Sequence, residues 1–307
     1  MTADWVAASV RARAMARRRV GAGACRRIAG RSDLSAALHD LEGTGYVQRL
    51  DGCVGLDQVQ RSTAETVLWQ LRVLAGWLPA AGTRLLRAAA AGFERENVLG
   101  LARHLDGAPD HDPYELGALG TAWPRLRGST SRDELDTELR RSPWGDPGDG
   151  GQADLADVLR MAWLRELAAA APRARPWAAT VAALTAGRLL LVDGAQPSPR
   201  LRRLVRPLIG EAWAGAGNPV ELREALPVSV RGVLDGVERP EGLWTAEARA
   251  IATVEDDAFA LLRTGMPGPS VVLGGAAVLA VDAWRLRAAL AAAEAGGRGS
   301  EVLDAVA

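Results

Sequence analysis

Phe93-Glu94-Arg95-Glu96-Asn97-Val98-Leu99-Gly100-Leu101-Ala102-Arg103-His104-Leu105 carries a polar residue where an ordinary amphipathic helix has an apolar one. At about 100° per residue, Phe93, Val98, Leu101, Ala102 and Leu105 share one face of a helix, and Asn97 falls inside that face between Phe93 and Leu101. A buried amide left unpaired costs about 1–3 kcal/mol, so Asn97 is expected to hydrogen-bond across to a neighbouring segment and fix how the two pack. Glu96 and Arg103 share the opposite flank.

Composition extends the helical reading to the whole chain. Ala, Leu and Arg dominate and β-branched runs are short, which predicts an all-α fold. With 307 residues the chain exceeds the size at which a single core divides, so two or three packed units are expected. No residue is Lys; the 37 basic side chains are all Arg, as GC-rich coding produces, and 37 acidic ones balance them. A net charge of zero argues against nucleic acid as the main partner, since a binding groove leaves a basic excess. Cys25 and Cys53 are too few for a metal cage or a disulfide framework; two free thiols in a reducing compartment, or one bridge, fits them. No compact apolar core of a signal peptide opens the chain, and the longest apolar run, Val271 to Val281, is interrupted by Gly274 and Gly275. Contact with a membrane is therefore expected through other proteins, without a direct span.

Along the chain, Trp5 to Val20 reads as a basic helix, and residues 1–31 hold eight Arg against one Asp. That charge suits a solvated face or an acidic partner, with Arg17, Arg18 and Arg19 as the interface candidates. A capped helix follows from Ser32 or Asp33 and leads into Thr44-Gly45-Tyr46. Val59 to Leu78 and Thr83 to Leu105 are helices parted by Pro79 and Gly82. Residues 104–113 gather His104, Asp106, Asp110, His111 and Asp112, which are metal-ligand types, but Gly and Pro beside Asp are the chemistry of a polar loop. A short helix at 132–145 and an exposed turn at 146–152 precede helical runs from Asp154 to Ala171 and Trp177 to Val192. "DGAQPSPR", 193–200, is a boundary by composition. Beyond it come a basic helix, Arg200 to Ala216, an acidic stretch, 235–257, and the longest helical pattern, Val271 to Ala295. Asp282 lies at the edge of a stripe formed there by Leu279, Leu286 and Leu290. It requires a donor, and an Arg from another helix is the natural candidate.

The standard catalytic constellations do not occur. Gly21-Ala22-Gly23 lacks the third glycine and the strand of a dinucleotide fingerprint, and without Lys there is no phosphate loop of the usual form. Three His residues have no Ser or Cys near them in a nucleophile elbow. Glu255-Asp256-Asp257 could suggest a magnesium-binding helix, but one such cluster reads as a charge run.

"FERENVLGLAR" resembles the Asp-x-Glu-Asn-Leu…Leu-Leu-Arg element of a family of central-stalk socket proteins in archaeal-type and V-type rotary ATPases, the C-type subunits of the archaeal machines and the d-type subunits of eukaryotes. "WVAASVRARAMARRRV" is similar to that family's opening helix. "SDLSAALHDLEGTGYVQRL" resembles its Leu-x-x-Ala-Leu-x-x-Leu…Thr-Asp-Tyr segment, and "RDELDTELRRSPWG" its short helix with Gly-Thr-Pro-Tyr-Gly, where Trp144 stands at the aromatic position. "AVDAWRLRAALAAAEAGGRGSEVLDAV" looks like its ending, with Asp282, Leu286 and Arg287 matching in kind and Arg285 in place of an Asn. In the second helical run, Thr180 and Arg188 are what answers to the Asn-Leu…Leu-Arg element.

The resemblance implies three related helical subdomains, at 1–107, 108–199 and 200–307, packed into a funnel-shaped body. It also implies a non-catalytic cytoplasmic protein without cofactor, peripheral to the cell membrane, whose partners are the proteolipid ring below and the central shaft of the soluble head above. Asn97, Arg103, Asp282 and Arg287 are then the residues expected to hold subdomain contacts. The alternative from composition alone is an unrelated helical protein-binding adaptor; a strict repeat of 30–45 residues would favour it, and none is visible.

Overall fold

A computed structural model describes residues 3–50, 52–109 and 112–297. Among them there are helices and turns and no strand. Asp110 and His111 of the polar loop, and the closing segment 298–307 with its expected final helix, lie outside the described residues.

In chain order the α-helices are α1 (Ala3–Arg17), α2 (Ala22–Ala29), α3 (Leu34–His39), α4 (Val47–Leu50), α5 (Leu56–Ala75), α6 (Ala80–Leu105), α7 (Trp123–Leu126) and α8 (Arg132–Arg140). They continue with α9 (Gly151–Ala170), α10 (Arg175–Gly187), α11 (Pro199–Ile209), α12 (Pro219–Ala225), α13 (Val228–Arg231), α14 (Leu243–Leu262) and α15 (Pro269–Glu294). They fall into two compact units: Met1–Thr83 with Glu247–Ala307, and Arg84–Ala246. The consecutive segments 1–107 and 200–307 cut across these units, because the last of these helices supplies the core around which the first ones pack.

In the first unit that core helix is α15. It begins with Pro269 at its first turn, where a missing N–H does no harm, and it is apolar nearly all round and buried over most of its surface, with a narrow outer stripe that includes the exposed Ala280 and Arg287. By length and composition it could cross a membrane, and this longer helix extends the apolar run expected at Val271 to Val281; 78% of its apolar window is buried by neighbouring helices, as in a core helix. Two glycines allow the close approach. A Cβ on Gly274 would stand 2.6 Å from the carbonyl oxygen of Ala258 in α14, and one on Gly275 2.9 Å from the Cβ of Ala12 in α1. The small residues Ala8, Ser9, Ala12 and Ala16 form the buried seam of α1. Arg13 ties α1 down by donating to the carbonyls of Leu262, at 3.0 Å, and Thr264, at 2.7 Å. On the far part of α15, Leu286, Ala289, Leu290 and Ala293 close a cluster with Cys25, Ile28, Leu34, Leu41, Tyr46 and Val59.

The second unit is built from most of α6 with α7 to α13 and the start of α14. Ring atoms of Trp163 in α9 pass 3.4 Å from where a Gly92 Cβ would be, and its indole N–H donates to Ala88 at 2.8 Å. The run expected from Trp177 to Val192 is helical throughout but ends in a π-helical turn, Arg188–Val192. The helix expected to reach Ala216 stops at Ile209, because Gly210 at φ 79° adopts a backbone conformation that terminates it. Likewise the opening helix ends at Arg17, and Gly21 at φ 80° turns the chain into the separate α2.

Candidate functional site

The chemistry of both units gathers on a buried carboxylate borne by a long helix. Asp282 of α15 is fully buried, and such a group is tolerated only when its oxygens are bonded. Oδ1 accepts from the backbone N–H of Gly21 at 2.8 Å; Oδ2 accepts from that of Val20 at 3.0 Å and from the hydroxyl of Tyr46 at 3.1 Å. The two N–H groups precede α2, so the carboxylate sits at the electropositive start of that helix. Tyr46 is delivered by a hydroxyl turn, in which Thr44 Oγ1 donates to Leu41 at 2.7 Å and accepts from the N–H of Tyr46 at 3.3 Å. Ahead of that turn, α3 is capped by Asp33, which accepts from Ala36 at 2.8 Å.

Burial drives the Asp282 carboxyl above the usual carboxylate range, against the pull of its three donors. It also raises the Tyr46 hydroxyl and, with the Asp282 charge second, pushes the Cys25 thiol up to about 12. Cys25 is therefore a neutral core thiol without nucleophilic character. Both Cys25 and Cys53 are free.

Unit 2 carries the same arrangement on Glu94 of α6, which is 1% exposed. Glu94 accepts from the backbone N–H groups of Thr121 and Ala122, each at 2.6 Å, and of Trp123 at 3.0 Å. The Thr121 hydroxyl adds a bond at 3.0 Å and the indole N–H of Trp144 one at 3.2 Å. Here too the N–H groups lead into a helix, α7. The aromatic donor again follows a capped helix, with Ser131 accepting from Glu134 at 3.3 Å, and a hydroxyl turn. In that turn Ser142 Oγ donates to Leu139 at 2.8 Å and accepts from Trp144 at 3.1 Å. Asp33, Thr44, Tyr46 and Asp282 thus correspond part by part to Ser131, Ser142, Trp144 and Glu94. The carboxylate helix precedes the other parts in unit 2 and follows them in unit 1.

A polar residue three positions after each carboxylate makes a second hook. Asn97 is 1% exposed; its Nδ2 donates to the carbonyl of Tyr114 at 2.9 Å and its Oδ1 accepts from the N–H of Tyr114 at 2.7 Å. The partner is thus the loop following the same helix, where the Tyr114 ring also meets Phe93 edge-on at 5.3 Å. Arg285 is buried and pairs with Glu255 through two bonds, at 3.1 and 2.7 Å. The spacing recurs where α10 passes into the π-helical turn: Thr185 is followed by Arg188, which bonds the buried Asp157 at 2.6 Å and also Asp193. At this position a hydroxyl stands in place of the carboxylate, and Thr185 Oγ1 is buried without a partner.

The remaining candidates separate. Asp282 takes backbone and phenolic donors in place of the Arg expected from another helix; the nearby Arg285 is occupied by Glu255. Glu255 is accordingly one half of an ion pair, and Asp256 and Asp257 are exposed. Arg103 is exposed and bonds back to Leu99 of its own helix at 3.3 Å; Arg287 is exposed and reaches Gln60 at 3.3 Å. Arg17 and Arg18 are exposed, whereas Arg19 stacks over the Phe259 ring at 4.6 Å and donates to Ala16 at 3.1 Å.

The sequence pattern does not single out Glu94, although it falls in the same apolar arc as Asn97, between Leu101 and Leu105. Arg95 is another buried hook from that helix, donating to Ala156 of α9 at 3.2 and 3.1 Å, and burial lowers its pKa. Among the described residues no group of three His, Cys, Asp or Glu side chains could hold a metal ion. No protein-family model and no curated protein sequence matches the chain.

Proposed function

We propose that the chain is a non-catalytic socket of a rotary ATPase of the V or archaeal type, joining the rotating shaft of the soluble head to the proteolipid ring. The observation that carries this reading is the recurrence of one polar device along the chain: Glu94 with Asn97, Thr185 with Arg188, and Asp282 with Arg285. It supports a body of three related helical subdomains, the architecture that the sequence resemblance implies. Its chemistry is consistent with a mechanical part. Both carboxylates and all three of the following side chains, Asn97, Arg188 and Arg285, are engaged by bonds within the fold, which fix the register of packed segments and leave no charged group of this device poised toward a substrate. Torque passes through a rigid body when such contacts resist slippage. In this reading the chain is cytoplasmic, attached to the membrane through the ring.

Affinity purification of the tagged chain from detergent-solubilised membranes tests the assignment. Recovery of the proteolipid and shaft proteins in constant ratio to the chain is the expected outcome; a chain recovered without them would refute it.

A further inference from the structure

α1 is apolar on two opposite faces. Ala8, Ser9, Ala12 and Ala16 are buried in the core of the first unit. On the other side Ala3, Val6, Val10 and Ala14 fall within an arc of about 80° at helical spacing. All four are exposed, Val6 at 42% and Val10 at 61%. A helix of a folded domain ordinarily turns charge outward at such positions. The basic residues that flank this arc are committed to the fold: Arg11 stacks on Trp77 at 4.4 Å, and Arg13 holds two carbonyls. Arg17 continues the arc at the end of the helix. Arg18 is its neighbour in the chain, and both are exposed.

We infer that this face of α1 docks an α-helix of a partner protein that carries carboxylates at the end lying over Arg17 and Arg18. Ala and Val make a shallow ridge that lets a second helix approach to about 8 Å. The stripe lacks the Trp, Phe and Leu that a membrane-surface helix inserts, and it lacks free basic residues along its sides. Positive charge is free at one end only, which selects a partner helix by its acidic end and fixes its direction. From Ala3 to Ala14 the ridge is about 17 Å long at 1.5 Å per residue, so it is one element of a larger interface. The inference stands on this surface and does not depend on the socket reading.

The test places a photo-crosslinking amino acid at Val10 of the full chain in the cell that produces it. Val228, 82% exposed in the second unit, serves as the control position. The expected result is one crosslinked protein whose attached peptide carries two or more Asp or Glu within about two helical turns, at a yield well above that from Val228. Arg17→Glu with Arg18→Glu should cut the Val10 yield about tenfold without changing the melting temperature. If that pair melts early, Arg17→Gln with Arg18→Gln is read instead. Crosslinks to lipid, to nucleic acid or to a second copy of this chain would overturn the inference. So would a peptide without carboxylates, a yield no higher than at Val228, or indifference to the charge changes.

Discussion

Glu94 accepts bonds from three backbone N–H groups, a hydroxyl and an indole, so its replacement by Gln turns an amide donor toward a ring of donors. A loss of about 2–4 kcal/mol in urea unfolding is expected for Glu94→Gln. Asn97→Leu, which strands both polar groups of Tyr114, should lose about 1–3 kcal/mol. Thr185→Val is expected to move the other way. It keeps the shape and removes a buried hydroxyl that has no partner, so stability should rise by up to about 1 kcal/mol, and a clear loss would show that the hydroxyl is bonded. Asp282 supplies a pH dependence. Its folded pKa is raised, so the native state binds the proton more tightly than the unfolded chain does, and stability from this group falls as pH rises from the ordinary carboxylate range through the raised native value. In urea unfolding across that window, the advantage of wild type over Asp282→Asn should shrink with rising pH; an advantage that grows would reverse the assignment. The need for a donor at Asp282 is legible in its apolar surroundings. The donor's identity is not, because backbone N–H groups carry no residue name, and Glu94 stays hidden because a Glu beside two other charged residues reads as surface.

At the scale of the elements, close packing of small residues decides the first unit. Gly275→Ala would place a methyl 2.9 Å from the Ala12 Cβ and 3.3 Å from its backbone, and overpacking of this kind costs about 1–3 kcal/mol. Ala12→Gly in the same chain should recover part of that loss, and additive effects in denaturant unfolding would contradict the contact. Helix existence is legible at α5, α6, α9 and α15, where apolar spacing is sustained and Pro or Gly marks an end. Some breaks are not. The expected helices leave 21–31 unassigned, so α2 goes unseen, and the π-helical turn at Arg188 is held by Asp157 and Asp193, partners that local sequence does not announce. A division into consecutive thirds also misses a long-range fact: α15 belongs with α1 to α5, and only the tertiary pairing of Asp282 with Val20, Gly21 and Tyr46 reveals it.

For the whole molecule, an all-α fold, internally satisfied carboxylates and a recurring polar pair support the proposal that the chain transmits torque and does no chemistry. At the basic start of the chain Arg17 and Arg18 are exposed, whereas Arg19 is held by the fold. The decisive measurement is ATP hydrolysis beside ion pumping in vesicles reconstituted with the complete motor, with and without this chain. Hydrolysis by the soluble head should continue without the chain while pumping is lost, and adding the chain back should restore pumping. Pumping at full efficiency in its absence would refute the torque-transmitting role.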